Sequence, residues 1–263
     1  VSLYGADAEV ATSALSDVAR EIERLENIFS LHRSESELSR LNAQGHLNGA
    51  SRDLIEVLRA AEVWRGKTEG AFNPLVQPMW QAAAKGEEVT HAMVEATRRE
   101  VTVGDDIALP SQSLATLNGI AQGRIADRVT ELLRAHGFED VVVDAGELRF
   151  PGRNRRVIAI PALKSAISVA EIAIATSEPK ALVFNAKTFR HHLIDPRSGD
   201  SPRHWENISV LAPTAEAADA LSTAFAILPH DAVGDIVASL DDVAVIGADA
   251  KGRVRTFGRR YIG

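Results

Sequence analysis

The sequence predicts an α+β protein in which mixed and antiparallel sheets pack against helices. Three observations carry this. Long segments repeat apolar residues at three- and four-residue spacing, short β-branched runs cluster around turn residues, and the two kinds do not alternate as a regular βαβ series. Residues 11–29 form the first predicted helix, because Val18, Ile22, Leu25 and Phe29 fall on one side with charges opposite. Ser51 caps a second, carrying Leu54, Val57, Leu58, Ala61 and Trp64, which Gly66 or Gly70 would end. Thr90 caps a third, running through Arg99. Residues 101–103, 115–117 and 141–144 read as strands, and 122–136 between the last two reads as a helix stopped by Gly137. Strand character returns at 157–160, 167–169, 171–175, 208–211 and 243–246, with Lys251-Gly252 as a turn. Between Pro213-Thr214 and Pro229, residues 215–228 are all helix-compatible, and Leu221, Phe225 and Leu228 repeat at spacings of four and three. No internal repeat or low-complexity linker is present.

A chain of 263 residues with 45% apolar content can bury a large core, and one domain spanning 1–263 is expected. A net charge of −7 opposes general nucleic-acid binding, which rests on clustered Lys and Arg. Glu87-Glu88 and Arg259-Arg260 are too short to be charged tails. No apolar run approaches the roughly 20 residues that span a bilayer, so no transmembrane segment is expected in this chain. The absence of cysteine excludes disulfides, thiolate metal sites and a cysteine nucleophile. The first residue is Val rather than Met, which leaves room for a preceding signal segment.

The most informative pair is Asp219 and Thr223 in ADALSTA (218–224). Four residues apart on one helix face, a carboxylate and a hydroxyl form half a site for a hard cation such as Mg²⁺, which takes oxygen ligands at about 2.0–2.1 Å. The same spacing also suits a solvated carboxylate and a packed threonine. Gly119 to Gly123 joins a predicted strand to a helix N-terminus, where free N–H groups favour an anion such as pyrophosphate, although such glycines often only ease packing. Gly70-Ala71-Phe72-Asn73-Pro74 ends a helix in a turn. In HHLIDPRSG (191–199), a strand would send His191 and His192 to opposite sides, one to a cleft and the other to solvent. Asp195 either orients His192 or caps the turn.

Five segments in order, SESELSRLN (34–42), TEGAFNP (68–74), GIAQGRIADR (119–128), ATSE (175–178) and HHLIDPRSG (191–199), resemble the ApbE family of flavin transferases, the FAD:protein FMN transferases. The resemblance runs from about Ser30 to about Pro229. It implies a T-fold-like α+β core with a cleft between two lobes, and Mg²⁺-dependent transfer of FMN from FAD to a threonine or serine hydroxyl of an acceptor protein, with AMP released. It places Gly119, through its carbonyl, with Asp219 and Thr223 on the metal. Cofactor contacts are implied at His32, where relatives carry an aromatic residue near the isoalloxazine, at Ala71, Phe72 and Asn73, and at Thr116, Gln122, Leu193 and Ser222. His192 matches the family histidine and is the candidate general base or phosphate partner.

Departures from the pattern also matter. Gln122 and Thr116 replace charged family residues, and Arg124 stands where Tyr or Phe is common. Asp144-Ala145-Gly146-Glu147 departs from a Gly-Gly pattern, and Glu178 replaces a glycine, which would strain the chain if φ were positive there. Asp127, beside Arg128, reads as a family acidic residue or a surface charge. These leave two alternatives open, an FAD pyrophosphatase giving FMN and AMP, and a non-catalytic FAD-binding carrier. A Ser/His/Asp hydrolase would need a G-x-S-x-G elbow, which does not occur. The resemblance further implies a membrane-associated redox flavoprotein subunit as acceptor, and a periplasmic or exported location, with any lipid anchor in a segment upstream of Val1.

Overall fold

The computed structural model describes residues 1–3, 8–163 and 166–258, so the Arg259-Arg260 pair lies outside the described residues. Eight α-helices occur among the described residues: α1 (Ala8–Phe29), α2 (Glu37–Gln44), α3 (Arg52–Lys67), α4 (Gln77–Lys85), α5 (His91–Thr97), α6 (Ala121–Ala135), α7 (Ala215–Ile227) and α8 (His230–Ala238). The predicted caps are in place, with Ser51 Oγ accepting from Leu54 N at 3.3 Å and Thr90 Oγ1 from Met93 N at 3.3 Å. Three short helices, α2, α4 and α8, were not anticipated. Of these only α2 has a local side-chain cap, Ser36 Oγ accepting from Ser39 N at 3.0 Å, and Gly45 at φ +74° closes it, whereas α4 and α8 open without one.

The central sheet has seven antiparallel strands that lie side by side in chain order: β1 (Ser2–Leu3), β2 (Val141–Asp144), β3 (Leu148–Phe150), β4 (Ile172–Ser177), β5 (Trp205–Ala212), β6 (Ala244–Asp249) and β7 (Val254–Phe257). Both faces are covered, so its strands are apolar on both sides. Ala173, Ala175, Ile208 and Val210 join the helical core, while Ile172, Ile174, Leu211 and Ile246 join a second core with Ile160 and Val169. The predicted strands at 157–160 and 167–169 form a separate hairpin, Arg156–Ala159 with Ala166–Val169.

One predicted strand is corrected. Residues 115–117 form no strand, because their backbone is claimed by other partners. Asn42 on α2 donates Nδ2 to Ala115 O at 2.8 Å and accepts Ala115 N on Oδ1 at 2.7 Å, and Thr116 N donates to Pro74 O at 2.7 Å. An amide side chain thus does what a neighbouring strand would do.

Helix α7 is buried almost all round, as a helix apolar on every side must be. It crosses α6 with the two N-termini capping each other. From α7, Asp219 Oδ2 accepts Gly123 N at 3.0 Å, at the start of α6 where Ile120 offers no side-chain cap. From α6, Asp127 accepts Ala215 N on Oδ1 and Glu216 N on Oδ2, both at 2.9 Å. Asp127 is therefore a capping residue rather than a surface charge. Gly123 permits the approach, since a Cβ there would stand 2.2 Å from Ala215 O. Each carboxylate satisfies N–H groups left orphaned by helix geometry.

Asp127→Ala is expected to lower stability by about 1–2 kcal/mol in urea denaturation, with Asp127→Asn less damaging because its carbonyl still accepts one bond. A second expectation concerns α1, which is tied to α6 by Glu21: Arg24 beside it, then Arg128 on α6, hold its carboxyl down to about 2. A depressed carboxylate contributes stability above its unfolded value near 4.3, and that contribution is lost as pH falls toward 2. Glu21→Gln should therefore be less stable than wild type at pH 6, and the gap should narrow by pH 3 and close only at pH 2 and below.

Candidate functional site

A cavity of about 440 Å³ opens where the start of α6, one face of α7, the end of β4 and the loops at 71–76, 116–119 and 192–196 meet. It brings together Ala71, Phe72, Asn73, Thr116, Gly119, Gln122, His192, Leu193, Asp219 and Thr223. These ten span about 150 residues of sequence. The Gly119 loop lies directly against α7, for a Cβ on Gly119 would stand 2.8 Å from Thr223 Oγ1. Asp219 is 4% exposed. Its Oδ2 is used by Gly123, and among the described residues its Oδ1 makes no hydrogen bond.

Two sequence candidates lie elsewhere. His32 is exposed, with its backbone N bonded to Ser30 Oγ at 3.1 Å, and it is not among the lining residues. Ser222 sits behind the wall, where its hydroxyl meets Ser177 Oγ at 2.9 Å and donates to Asp219 O at 3.1 Å. Asn73 lines the cavity, yet its side chain is occupied, with Nδ2 donating to Thr97 O at 2.8 Å and Oδ1 accepting Leu75 N at 2.9 Å. It shapes the loop.

His192 and His191 are separated in role by their partners. His191 is fully buried rather than facing solvent, with Nε2 donating to Pro202 O at 2.8 Å and Nδ1 accepting Leu193 N at 3.3 Å. His192 lines the cavity, and its Nδ1 meets Leu182 O at 3.2 Å. A carbonyl can only accept, so Nδ1 carries the proton and Nε2 keeps a lone pair. Burial pushes this imidazole below its ordinary value, with the Leu182 carbonyl opposing, which keeps the ring neutral. Asp195 does not reach His192. Its carboxylate takes Arg197 N, Nε and Nη2 at 2.9, 2.8 and 2.7 Å and fixes the turn.

The sequence departures resolve structurally. Glu178 has φ −129°, extended backbone that any residue adopts, so no strain arises there. Arg124 pairs with Glu56 on α3 and with Glu216 at 3.3 Å, outside the cavity. Gln122 lays its amide against Gly146, whose φ of +96° belongs to the turn between β2 and β3.

Sequence reasoning missed Trp80 and Glu147 as lining residues. Trp80 packs edge-on against Phe184 with ring centroids 5.1 Å apart, giving one part of the cavity an aromatic wall. Glu147, carried by the β2–β3 turn, is 8% exposed, and its Oε2 is buried without a hydrogen-bond partner. Burial, then the charges of Asp219 and Asp144, push its carboxyl well up, against a backbone N–H from Thr176. Asp219 is raised as well, chiefly by burial, despite the Gly123 N–H. Glu147 had a signal in the departing run Asp144-Ala145-Gly146-Glu147, but local pattern does not show that this turn packs against Gln122 of α6.

The described lining residues include three carboxylates, Glu147, Glu178 and Asp219, and neither Lys nor Arg.

The fold is that of solved flavin transferases. The chain superimposes on an ApbE protein from Thermotoga maritima with a TM-score of 0.82 at 21% identity, covering 94% of this chain and 89% of that one. It superimposes on the flavin transferase ApbE from Vibrio cholerae with a TM-score of 0.76 at 23% identity, covering 97% and 90%. Curated relatives named FAD:protein FMN transferase include one from Haemophilus influenzae, 31% identical over 77% of this chain and 69% of its own length. Another, from Treponema pallidum, is 28% identical over 83% and 72%. The ApbE family matches residues 1–246, and the chain belongs to that family.

A carboxyl raised by burial costs stability as pH climbs from its unfolded value near 4.3 toward its folded one, because the folded state holds the proton that the unfolded chain gives up. Glu147→Gln should therefore melt higher than wild type at pH 8 in the presence of a chelator, with the difference shrinking toward pH 5.

Proposed function

We propose that this chain transfers FMN from FAD to a threonine or serine hydroxyl of an acceptor protein, releasing AMP. The observation that carries this reading is one cavity with an aromatic and apolar part suited to a flavin ring and an acidic part beside a helix N-terminus. A pyrophosphate cannot enter the acidic part unaided, because no Lys or Arg lines it among the described residues. A divalent cation would offset that charge. The residues that would hold one are Asp219, Thr223 through its hydroxyl and Gly119 through its carbonyl, which line the same cavity and offer only oxygen donors, the chemistry Mg²⁺ prefers. When bound, Mg²⁺ would offset the charge on the phosphoryl oxygens.

The chain's own residues supply the rest. Trp80, Phe72 and Leu193 give the flavin an apolar surface, and the loop at 71–73 holds its shape through Asn73. His192 Nε2 takes the proton as the acceptor hydroxyl attacks the flavin-side phosphorus. The new bond joins that oxygen to phosphorus, and the bond to the bridging oxygen breaks, so AMP leaves with the electron pair. The acceptor is proposed to be a membrane-associated redox flavoprotein subunit, met in the periplasm or another exported location. No helix among the described residues is long and apolar enough to cross a membrane.

The test is mass spectrometry of a candidate acceptor incubated with this chain, FAD and Mg²⁺. Added FMN on a threonine or serine is expected, no addition is expected with Asp219→Ala, and His192→Ala should slow transfer about 10²–10⁴-fold at neutral pH. Steady AMP release without acceptor would identify a pyrophosphatase instead, and FAD binding with no turnover under either condition would identify a carrier.

A further inference from the structure

We infer that Glu147 is a second carboxylate ligand of the cation site, opposite Asp219, and that it sets the affinity of the chain for a divalent cation. This rests on the cation site proposed above and goes beyond it, since that site used one carboxylate, one hydroxyl and one carbonyl.

Three observations on Glu147 support the assignment. It lines the same cavity as Asp219, Thr223 and Gly119. It is more than nine-tenths buried, and its Oε2 has no hydrogen-bond partner. A buried carboxylate oxygen left in this state carries a desolvation cost that a ligand must offset. Finally, the carboxylate is held in place. Leu148 pairs with Ile174 on β4, Ala145 N donates to Glu147 O at 3.3 Å, and the Gln122 amide packs on Gly146 beside it.

Chemistry selects the kind of ligand. An ammonium or guanidinium could serve Oε2, but none lines the cavity among the described residues. A water molecule would satisfy one lone pair, and a proton would neutralise the carboxyl without engaging the neighbouring oxygens of Asp219, Thr223 and Gly119. A divalent cation answers both needs, because a hard dication prefers anionic oxygen, and one carboxylate neutralises only half its charge. Glu147 and Asp219 together would offer it two anionic oxygens from two separate segments. The cation then bridges the β2–β3 turn to α7, two segments that the fold otherwise links through Gln122 and Gly123.

The experiment titrates Mn²⁺ and Mg²⁺ into the flavin-free chain at pH 8, following free Mn²⁺ by electron paramagnetic resonance and both ions by calorimetry. Wild type, Glu147→Gln, Glu147→Asp and Asp219→Asn are compared, with a circular dichroism melt in chelator showing that each variant is folded. Glu147→Gln should weaken Kd by about tenfold or more, and Glu147→Asp, which keeps the charge, should restore part of that loss. Asp219→Asn should abolish binding. Wild-type affinity in Glu147→Gln with binding lost in Asp219→Asn overturns this inference alone. Wild-type affinity in Asp219→Asn, or no Mn²⁺ binding by the wild-type chain at millimolar concentration, overturns the cation site on which it rests.

Discussion

The mutual capping of α6 and α7 is the constraint on which the rest of the architecture depends. Two helix N-termini meet, each closed by an aspartate from the other, over a contact so tight that only glycine fits at position 123. Capping is ordinarily a local device, supplied by the residue just before the helix. Here a tertiary device is added, since Thr214 caps α7 locally at Ala217 N while α6 has no side-chain cap of its own, and the crossed aspartates fix both the separation and the rotation of the pair. Because α7 lies on β4 and β5, fixing the pair also fixes α6 on the sheet.

That arrangement explains why the polar part of the cavity forms where it does. Asp219 both accepts the Gly123 N–H of α6 through Oδ2 and lines the cavity, so the same side chain that closes the helix contact belongs to the site. Thr223 follows one turn later and meets Gly119. The loop between Thr116 and Ile120 thus passes over α7 at Thr223. Around this point the described lining residues carry three carboxylates and neither Lys nor Arg.

Much of this was legible in the residues. Helix ends announced by Ser51, Thr90, Gly137 and Pro229 lie where their local chemistry puts them, because capping depends on neighbours only a few positions away. Ten of the site candidates converge in one cavity, since the helical spacing of Asp219 and Thr223 and the ordered motifs encode faces and turns. What could not be read was whatever depends on distant partners. The segment at 115–117 has strand composition but is claimed by Asn42 and Pro74, and Asp127 looks like a surface charge until α7 arrives above it. Glu147 and Trp80 reach the cavity by tertiary folding, whereas His32 and Ser222 lie away from its lining.

The amide of Asn42 has a wider implication. Among the described residues the cavity wall begins at Ala71, so the opening quarter of the chain contributes no surface to it. Yet through two bonds from one side chain to Ala115, that quarter holds the strand-like stretch from which the Gly119 loop departs. The N-terminal helices are therefore a brace for the chemistry, and a shortened protein retaining every wall residue would still lack the strut that keeps the wall in register.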